Sequence, residues 1–148
     1  MICYNENSLE VKAVKRNLLI CAWLCVAFIM IAGCHRGKID EVQIVLGESE
    51  LYSEQELQAA ADIILRQFSN GFDGCTLREL SYNEEDSLKE ADAWAKQYEA
   101  KEAIVFSSRF VVSPDYGNGP FSPGDTHYYS WILVKDKNND WVLKTWGY

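Results

Sequence analysis

The pattern of apolar and polar positions first identifies a segment near the start of the chain. Residues 18–33 form an uncharged apolar run of 16 residues, preceded by Lys12, Lys15 and Arg16. A basic segment followed by an apolar one that ends in small residues is typical of a cleaved export signal. The run is also shorter than the roughly 20 residues that span a bilayer. We therefore predict a signal-peptide helix within residues 1–33; an uncleaved signal-anchor helix is the alternative.

Two later segments have the three- and four-residue spacing of amphipathic helices. In the first, Ser53 and Glu56 match a capping box, and Asn70-Gly71 is the predicted end. In the second, Asn83 is the predicted N-cap of a helix over residues 84–98. The predicted buried stripes are Leu57, Ala61, Ile64, Leu65 and Phe68 in the first helix, and Leu88, Ala91, Trp94, Ala95 and Tyr98 in the second.

Four segments rich in β-branched and aromatic residues are predicted strands. They are residues 75–82, 102–112, 127–135 and 141–148. The element order predicts an α+β fold, with two helices packed on one face of a curved, mainly antiparallel four-stranded sheet. Residues 34–50 show no strong period apart from a short extended piece at 42–46, and we interpret them as a spacer. Residues 51–148 then form a single domain.

The apolar run ends in Ile31-Ala32-Gly33-Cys34, which resembles the lipobox of bacterial lipoprotein precursors. The resemblance implies that the sulfur of Cys34 receives a diacylglycerol group and that residues 1–33 are removed. Two or more acyl chains hold a protein stably on a membrane. Because the basic flank of the run stays in the cytoplasm, the domain is expected on the outer face of the cell membrane, anchored by lipid.

A second resemblance concerns the mature part of the chain. Its element order and aromatic terminal hairpin resemble the cone folds called nuclear transport factor 2-like (cystatin-like). The strings GCTLRELSYNEE and YYSWILVKDKNNDWVLKTWGY, with the lipobox, are similar to small, uncharacterised lipoproteins of Clostridia-like Gram-positive bacteria. This likeness implies an envelope location and a fold that often carries a pocket between sheet and helices. It implies no activity.

Charge restricts the partners of the mature part. Its 115 residues carry 11 basic and 20 acidic side chains. Nucleic acids and anionic lipid headgroups are bound through basic patches, so neither is expected as a partner. Such a surface would tolerate cationic partners. The partner classes that we expect, besides the membrane that holds the anchor, are an envelope protein, a peptide or a small ligand.

No cofactor or metal site is predicted. No His or Cys cluster has the spacing of metal ligands. The string Asp136 to Asp140 lacks the glycine and the bidentate carboxylate of a calcium loop, and it is interpreted as a hairpin turn with Asn138-Asn139 at its tip. Cys75, the one mature cysteine apart from Cys34, is expected to be a buried structural thiol.

The loop of residues 113–126 is the predicted interaction surface. It is longer than most hairpin connections, and it contains Tyr116 and Phe121 among glycines and prolines. Aromatic side chains in such a loop bury a large area on a partner at a small entropy cost. The alternative is a disordered tip whose aromatic side chains fold back onto the sheet. The neighbouring strand residues that complete the predicted binding surface are His127, Tyr129 and Trp131.

These patterns predict a membrane-tethered, non-enzymatic binding or interaction domain, and no catalytic residue is predicted. One alternative is a small-molecule enzyme of the cone-fold type that uses His127 and a carboxylate in a pocket. Another is a structural or regulatory envelope component without a small ligand. An open pocket with His127 beside Asp or Glu would favour the enzyme. A pocket filled by Trp and Phe would leave only the surface.

Overall fold

The computed structural model describes residues 36–117 and 119–147. The elements are β1 (Gln43–Leu46), α1 (Glu54–Gly71), β2 (Cys75–Tyr82), α2 (Glu84–Gln97), β3 (Ala103–Val112), β4 (Thr126–Lys135) and β5 (Trp141–Gly147). The predicted α+β class is confirmed. The predicted signal-peptide helix and Cys34 lie outside the described residues. Over the described ranges, no helix has both the length and the hydrophobicity needed to cross a bilayer.

The sheet has five strands, in the order β1-β2-β3-β4-β5, instead of the four predicted. It is also mixed, because β1 runs parallel to β2, with Ile44 opposite Leu80. The other neighbouring strands are antiparallel. A parallel pair needs a crossover connection, and α1 provides it. The added strand comes from the segment that was interpreted as a spacer. Four residues without alternating polarity give too weak a pattern to predict a strand.

α1 begins with the predicted capping box. The hydroxyl of Ser53 accepts a hydrogen bond from the Glu56 amide at 3.3 Å, and the Ser53 amide donates to the Glu56 carboxylate at 3.1 Å. An N-cap of this kind contributes about 1 kcal/mol. The end of the helix differs from the prediction, because the helix includes Gly71. In the turn that follows the helix, the left-handed backbone occurs at Gly74, with φ of +71°.

The main core lies between α1 and one face of the sheet. Its sheet side consists of alternate residues, including Phe106 and Phe110 on β3 and Trp131 and Leu133 on β4. Trp131 is fully buried, and its indole Nε1 donates a hydrogen bond to the Ser108 hydroxyl at 2.7 Å. This bond satisfies the polar atom of the largest buried side chain.

α2 packs on the opposite face, so the prediction that both helices share one face is wrong. Ala103 and Ile104 are consecutive residues of β3, and their side chains therefore point to opposite faces. Ile104 belongs to the core under α1, whereas Ala103 packs against Ala91 of α2. A helix on each face gives the sheet two hydrophobic layers, of which the one under α2 is smaller.

The predicted buried stripe of α2 is only partly correct. Ala91 is buried, but Leu88 is 51% exposed. α2 contacts the sheet through a narrow strip, in which the buried Ser87 hydroxyl accepts a hydrogen bond from the Val105 amide at 3.0 Å. This polar contact fixes the helix beside β3 and turns Leu88 towards solvent.

Candidate functional site

The aromatic side chains of the loop between β3 and β4 fold back onto the sheet, which is one part of the alternative interpretation. The ring of Phe121 lies 4.9 Å from that of His127 and 5.5 Å from that of Phe110. Tyr116 packs on Phe121, with ring centroids 6.4 Å apart. Phe121 thus joins a group of packed rings that we call the aromatic cluster: Phe72, Phe110, Phe121, His127, Tyr129 and Trp131. All five predicted binding residues either belong to this cluster or, like Tyr116, contact it.

The imidazole of His127 is packed among aromatic rings. It stacks on Phe110 at 5.3 Å with an interplanar angle of 22°, and it also contacts Phe121 and Tyr129. Asp125, the nearest carboxylate in sequence, lies in the exposed part of the loop. Its backbone carbonyl accepts from the Val112 amide at 2.9 Å, so Asp125 continues the ladder between β3 and β4. Aromatic side chains fill the space where the enzyme alternative needs an open pocket.

Backbone hydrogen bonds hold the base of the loop, and one of them joins it to the turn after α1. The Ser113 amide donates to the Gly74 carbonyl at 2.8 Å, and the Tyr116 amide donates to the Ser113 carbonyl at 3.0 Å. On the β4 side, the Gly124 amide donates to the Val112 carbonyl at 3.2 Å. The loop is therefore continuous with the sheet at its base, which fixes the direction in which its aromatic residues point.

Tyr116 is held by two glycines. A Cβ atom at Gly74 would lie 2.4 Å from the Tyr116 ring, and one at Gly119 would lie 1.8 Å from its hydroxyl oxygen. Gly74 also has a left-handed backbone, which other residues seldom adopt. Both positions thus require glycine for the ring to pack as it does. By contrast, a Cβ atom at Gly117 would face open space, with no atom of the described residues within 4 Å.

Between the turn and the loop lies a cleft of about 720 Å³, which we call the end cleft. One wall is the turn 70–74 after α1. The other wall consists of the loop residues Ser113, Asp115, Tyr116, Gly117, Gly119, Pro120 and Phe121. A cleft of this volume is in the range that accommodates a small ligand or one side chain of a partner.

The lining of the end cleft favours a positively charged ligand. Asp73 and Asp115 are exposed carboxylates on opposite walls, and the described lining residues include no Lys or Arg. Tyr116 and Phe121 also line the cleft. The face of an aromatic ring carries negative potential, which attracts cations. An ammonium or guanidinium group is the ligand chemistry that matches carboxylates and aromatic faces together.

Cys75 lies behind the turn and is fully buried, as predicted. Burial raises the pKa of its thiol to about 11, and the nearby Asp73 carboxylate adds to this effect. The thiolate is the reactive form of cysteine. The thiol is therefore protonated at neutral pH and acts as a packing residue beneath the cleft.

A second group of polar side chains lies at the other end of α1. The ammonium of Lys135 lies 2.8 Å from the Glu56 carboxylate and 4.8 Å from the centre of the Trp141 ring. The hydrogen bond from Lys135, together with those from Ser53, lowers the pKa of Glu56 to about 2. Lys135 is thus a paired cation that joins α1 to β4, which is a structural role.

No metal centre is evident in the part of the chain that the structure describes: no three His, Cys, Asp or Glu side chains there are placed to share an ion. Asp136 caps the hairpin turn, where its carboxylate accepts from the amides of Asn138 and Asp140 at 2.8 and 3.0 Å. Asn139 has the positive φ, of 68°, that the turn was predicted to need. The Asp136 carboxylate therefore stabilises the hairpin turn.

Analysis of the sequence missed the first wall of the end cleft. The turn 70–74 was interpreted only as the end of a helix, although it contains two glycines and Asp73. It meets the loop because β2 and β3 are antiparallel, with Cys75 opposite Val112. The start of β2 and the end of β3 must then lie together, so a correct strand pairing would have identified both walls.

No family model, curated protein or solved structure matches this chain, so its resemblances to lipoproteins and to nuclear transport factor 2-like folds depend on its own residues alone.

Proposed function

We propose that this protein is a lipoprotein, anchored by acylated Cys34 on the outer face of the cell membrane, and that its domain is a non-enzymatic binding module. The end cleft is its binding site, and the ligand is a cationic group on an envelope protein, a peptide or a small molecule. The observation that carries the binding proposal is the pairing of exposed Asp73 and Asp115 with the ring of Tyr116 in one cleft.

The packing of the loop supports a cleft that is already formed before the partner arrives. A hydrogen bond from the Ser113 amide to the Gly74 carbonyl joins the two walls, and the Tyr116 ring packs against Gly74 and Gly119. A preformed site loses little conformational entropy on binding. The exposed aromatic tip that the sequence suggested is replaced by a concave site in which Tyr116 and Phe121 form part of the lining.

The surroundings of His127 favour binding over the enzyme alternative. A general base must lie within hydrogen-bonding distance of a substrate proton, directly or through one water molecule. Phe110, Phe121 and Tyr129 pack around the imidazole and occupy that space. His127 is thus better suited to support the loop than to transfer a proton.

Photo-crosslinking from within the cleft tests the binding proposal. Benzoylphenylalanine is introduced at Gly117, where a Cβ atom faces open space. In intact membranes we expect a discrete adduct from position 117 and none from Asn138, an exposed residue of the β4–β5 turn. Because the proposed ligand is cationic, Asp73→Asn with Asp115→Asn should reduce the yield of this adduct at least tenfold, as expected for loss of two charge-assisted hydrogen bonds.

The matched control replaces two exposed carboxylates elsewhere, Asp92→Asn with Asp140→Asn, which make the same change in net charge. This pair should leave the adduct intact. An adduct that survives the Asp73 and Asp115 changes, or that the control pair removes equally, would show that the end cleft does not select a cation. The absence of any adduct from position 117 would remove the cleft as the binding site.

A further inference from the structure

The first described residues are built into the fold and are not a free tether. The Gly37 amide donates to the Ser69 carbonyl of α1 at 3.1 Å, and the Lys38 amide donates to the Cys75 carbonyl of β2 at 2.9 Å. A Cβ atom at Gly37 would lie 2.4 Å from the Phe68 carbonyl oxygen. Glycine is therefore needed at position 37, where the chain meets the C-terminal end of α1.

This docking leaves very little chain between the fold and the proposed anchor. Two residues, His35 and Arg36, separate Gly37 from Cys34. Three successive Cα–Cα steps span at most about 11 Å in any conformation. Given the proposed acylation of Cys34, on which this inference rests, the C-terminal end of α1 stays within reach of the lipid headgroups. The predicted spacer cannot hold the domain away from the bilayer.

The surface at that end of α1 contains a groove with basic and aliphatic residues. It is lined by Arg36 and Arg66, with Leu65 and Ile39 as half-buried aliphatic residues. Lys38 is exposed close by in the chain. Asp62 is the one carboxylate among the described lining residues, and it accepts a hydrogen bond from the Gln58 amide at 2.8 Å. The groove therefore has net positive charge on an acidic domain.

We propose that this groove binds the phosphate groups of anionic phospholipids in the same bilayer that holds the anchor. Guanidinium groups bind phosphate through paired hydrogen bonds, and aliphatic residues beside them suit the boundary between headgroups and acyl chains. The short tether keeps Arg36 and Arg66 within reach of that layer. The contact gives the domain one preferred orientation, with the C-terminal end of α1 towards the lipid.

The proposed orientation also determines where the end cleft lies relative to the membrane. Asn70 lines both the groove and the end cleft, so the two sites adjoin at the same end of α1. Asp73 and Asp115 line the cleft, whereas the two arginines line the groove. The cleft then opens beside the membrane surface, where it is accessible to a partner that is itself held on the membrane.

Fluorescence quenching in vesicles tests this orientation with the mature lipidated protein. One label is placed on Asn70→Cys and another on Asn138→Cys; both sites are exposed. Asn70 lies in the last turn of α1, an 18-residue helix about 27 Å long. Asn138 lies in the β4–β5 turn, whose residues Asn139 and Asp140 line a pocket with Ser53 and Glu56 at the start of that helix. The quencher is a nitroxide on the headgroups of lipids, in phosphatidylcholine vesicles with or without an equal amount of phosphatidylglycerol.

In vesicles with phosphatidylglycerol, the label at position 70 should be quenched and the label at position 138 should not. Arg36→Gln with Arg66→Gln should lower the ratio of docked to undocked domains about fivefold for each charge removed. The control pair, Lys101→Gln with Lys137→Gln, removes the same charge from exposed positions elsewhere and should change nothing. Circular dichroism spectra that match those of the unchanged protein show that each variant is folded.

Equal quenching at the two positions, or quenching at position 70 that does not depend on phosphatidylglycerol or on the arginines, would overturn the groove proposal while the anchor stands. A protein that does not float with the vesicles would overturn the anchor and, with it, this inference. The two failures are thus distinguished by flotation alone.

Discussion

At the scale of single residues, Glu56 connects the start of α1 to the sheet. Its carboxylate accepts from the Ser53 amide within the capping box and binds the ammonium of Lys135, which is 7% exposed. The capping box could be predicted from the sequence because its residues are three apart. The bond to Lys135 could not, because 79 residues separate the two partners.

Replacing Glu56 tests this double role. Glu56→Gln should lower the free energy of unfolding at pH 7 by roughly 1–3 kcal/mol, because it leaves the buried Lys135 ammonium without its charged partner. Glu54→Gln, in the same first turn, is the matched control and should change it by less than about 0.5 kcal/mol. Denaturant unfolding at pH 7 measures both values. Equal effects of the two variants would contradict the role given to Lys135.

The pH dependence of stability follows from the same carboxylate. Because the pKa of Glu56 is lowered to about 2 from an ordinary 4.5, its charged form is favoured by folding. The contribution of this carboxylate to the free energy of unfolding is complete above pH 4.5 and is lost as the pH falls towards 2. Stability curves of Glu56→Gln should therefore be flatter than those of the unchanged protein in that window.

At the scale of elements, the sequence predicts each helix, the four longer strands and their antiparallel pairing, but it misses the parallel strand β1 and the face on which α2 packs. The segment of β1 was noted only as a short extended piece, because four residues give little periodic signal. The placement of α2 was missed because Leu88 and Ala91 have helical spacing whichever face of the sheet the helix covers. Periodicity identifies the apolar side of an element but does not identify the surface that covers it.

Gly37 is the residue through which the N-terminal segment joins these elements. Gly37→Ala should lower the free energy of unfolding by roughly 1–3 kcal/mol, because the added Cβ displaces the segment from Phe68 and Ser69. Gly117→Ala is the control, since its Cβ meets open space, and it should stay within about 0.5 kcal/mol. Urea unfolding midpoints at unchanged slope provide the comparison. Similar midpoints for the two variants would mean that residues 37–38 are not part of the folded domain.

At the scale of the whole molecule, total charge is a poor guide to local surfaces. The composition predicts an acidic domain that avoids anionic headgroups. Folding nevertheless brings Arg36 and Arg66, which are 30 residues apart, into one groove. It also brings Asp73 and Asp115 into another cleft. These sites depend on contacts between distant residues, so the total of charges along the chain could not locate either of them.

The membrane location of both proposed sites depends on one chemical feature, the acylation of Cys34. Mass spectrometry of the N-terminal peptide of the protein purified from membranes examines that feature directly. We predict a mature chain that begins at Cys34, with a diacylglycerol group on its sulfur, and a Cys34→Ala variant that keeps residues 1–33. A membrane-bound chain that keeps residues before position 34, or that carries an unmodified thiol there, would contradict the proposal.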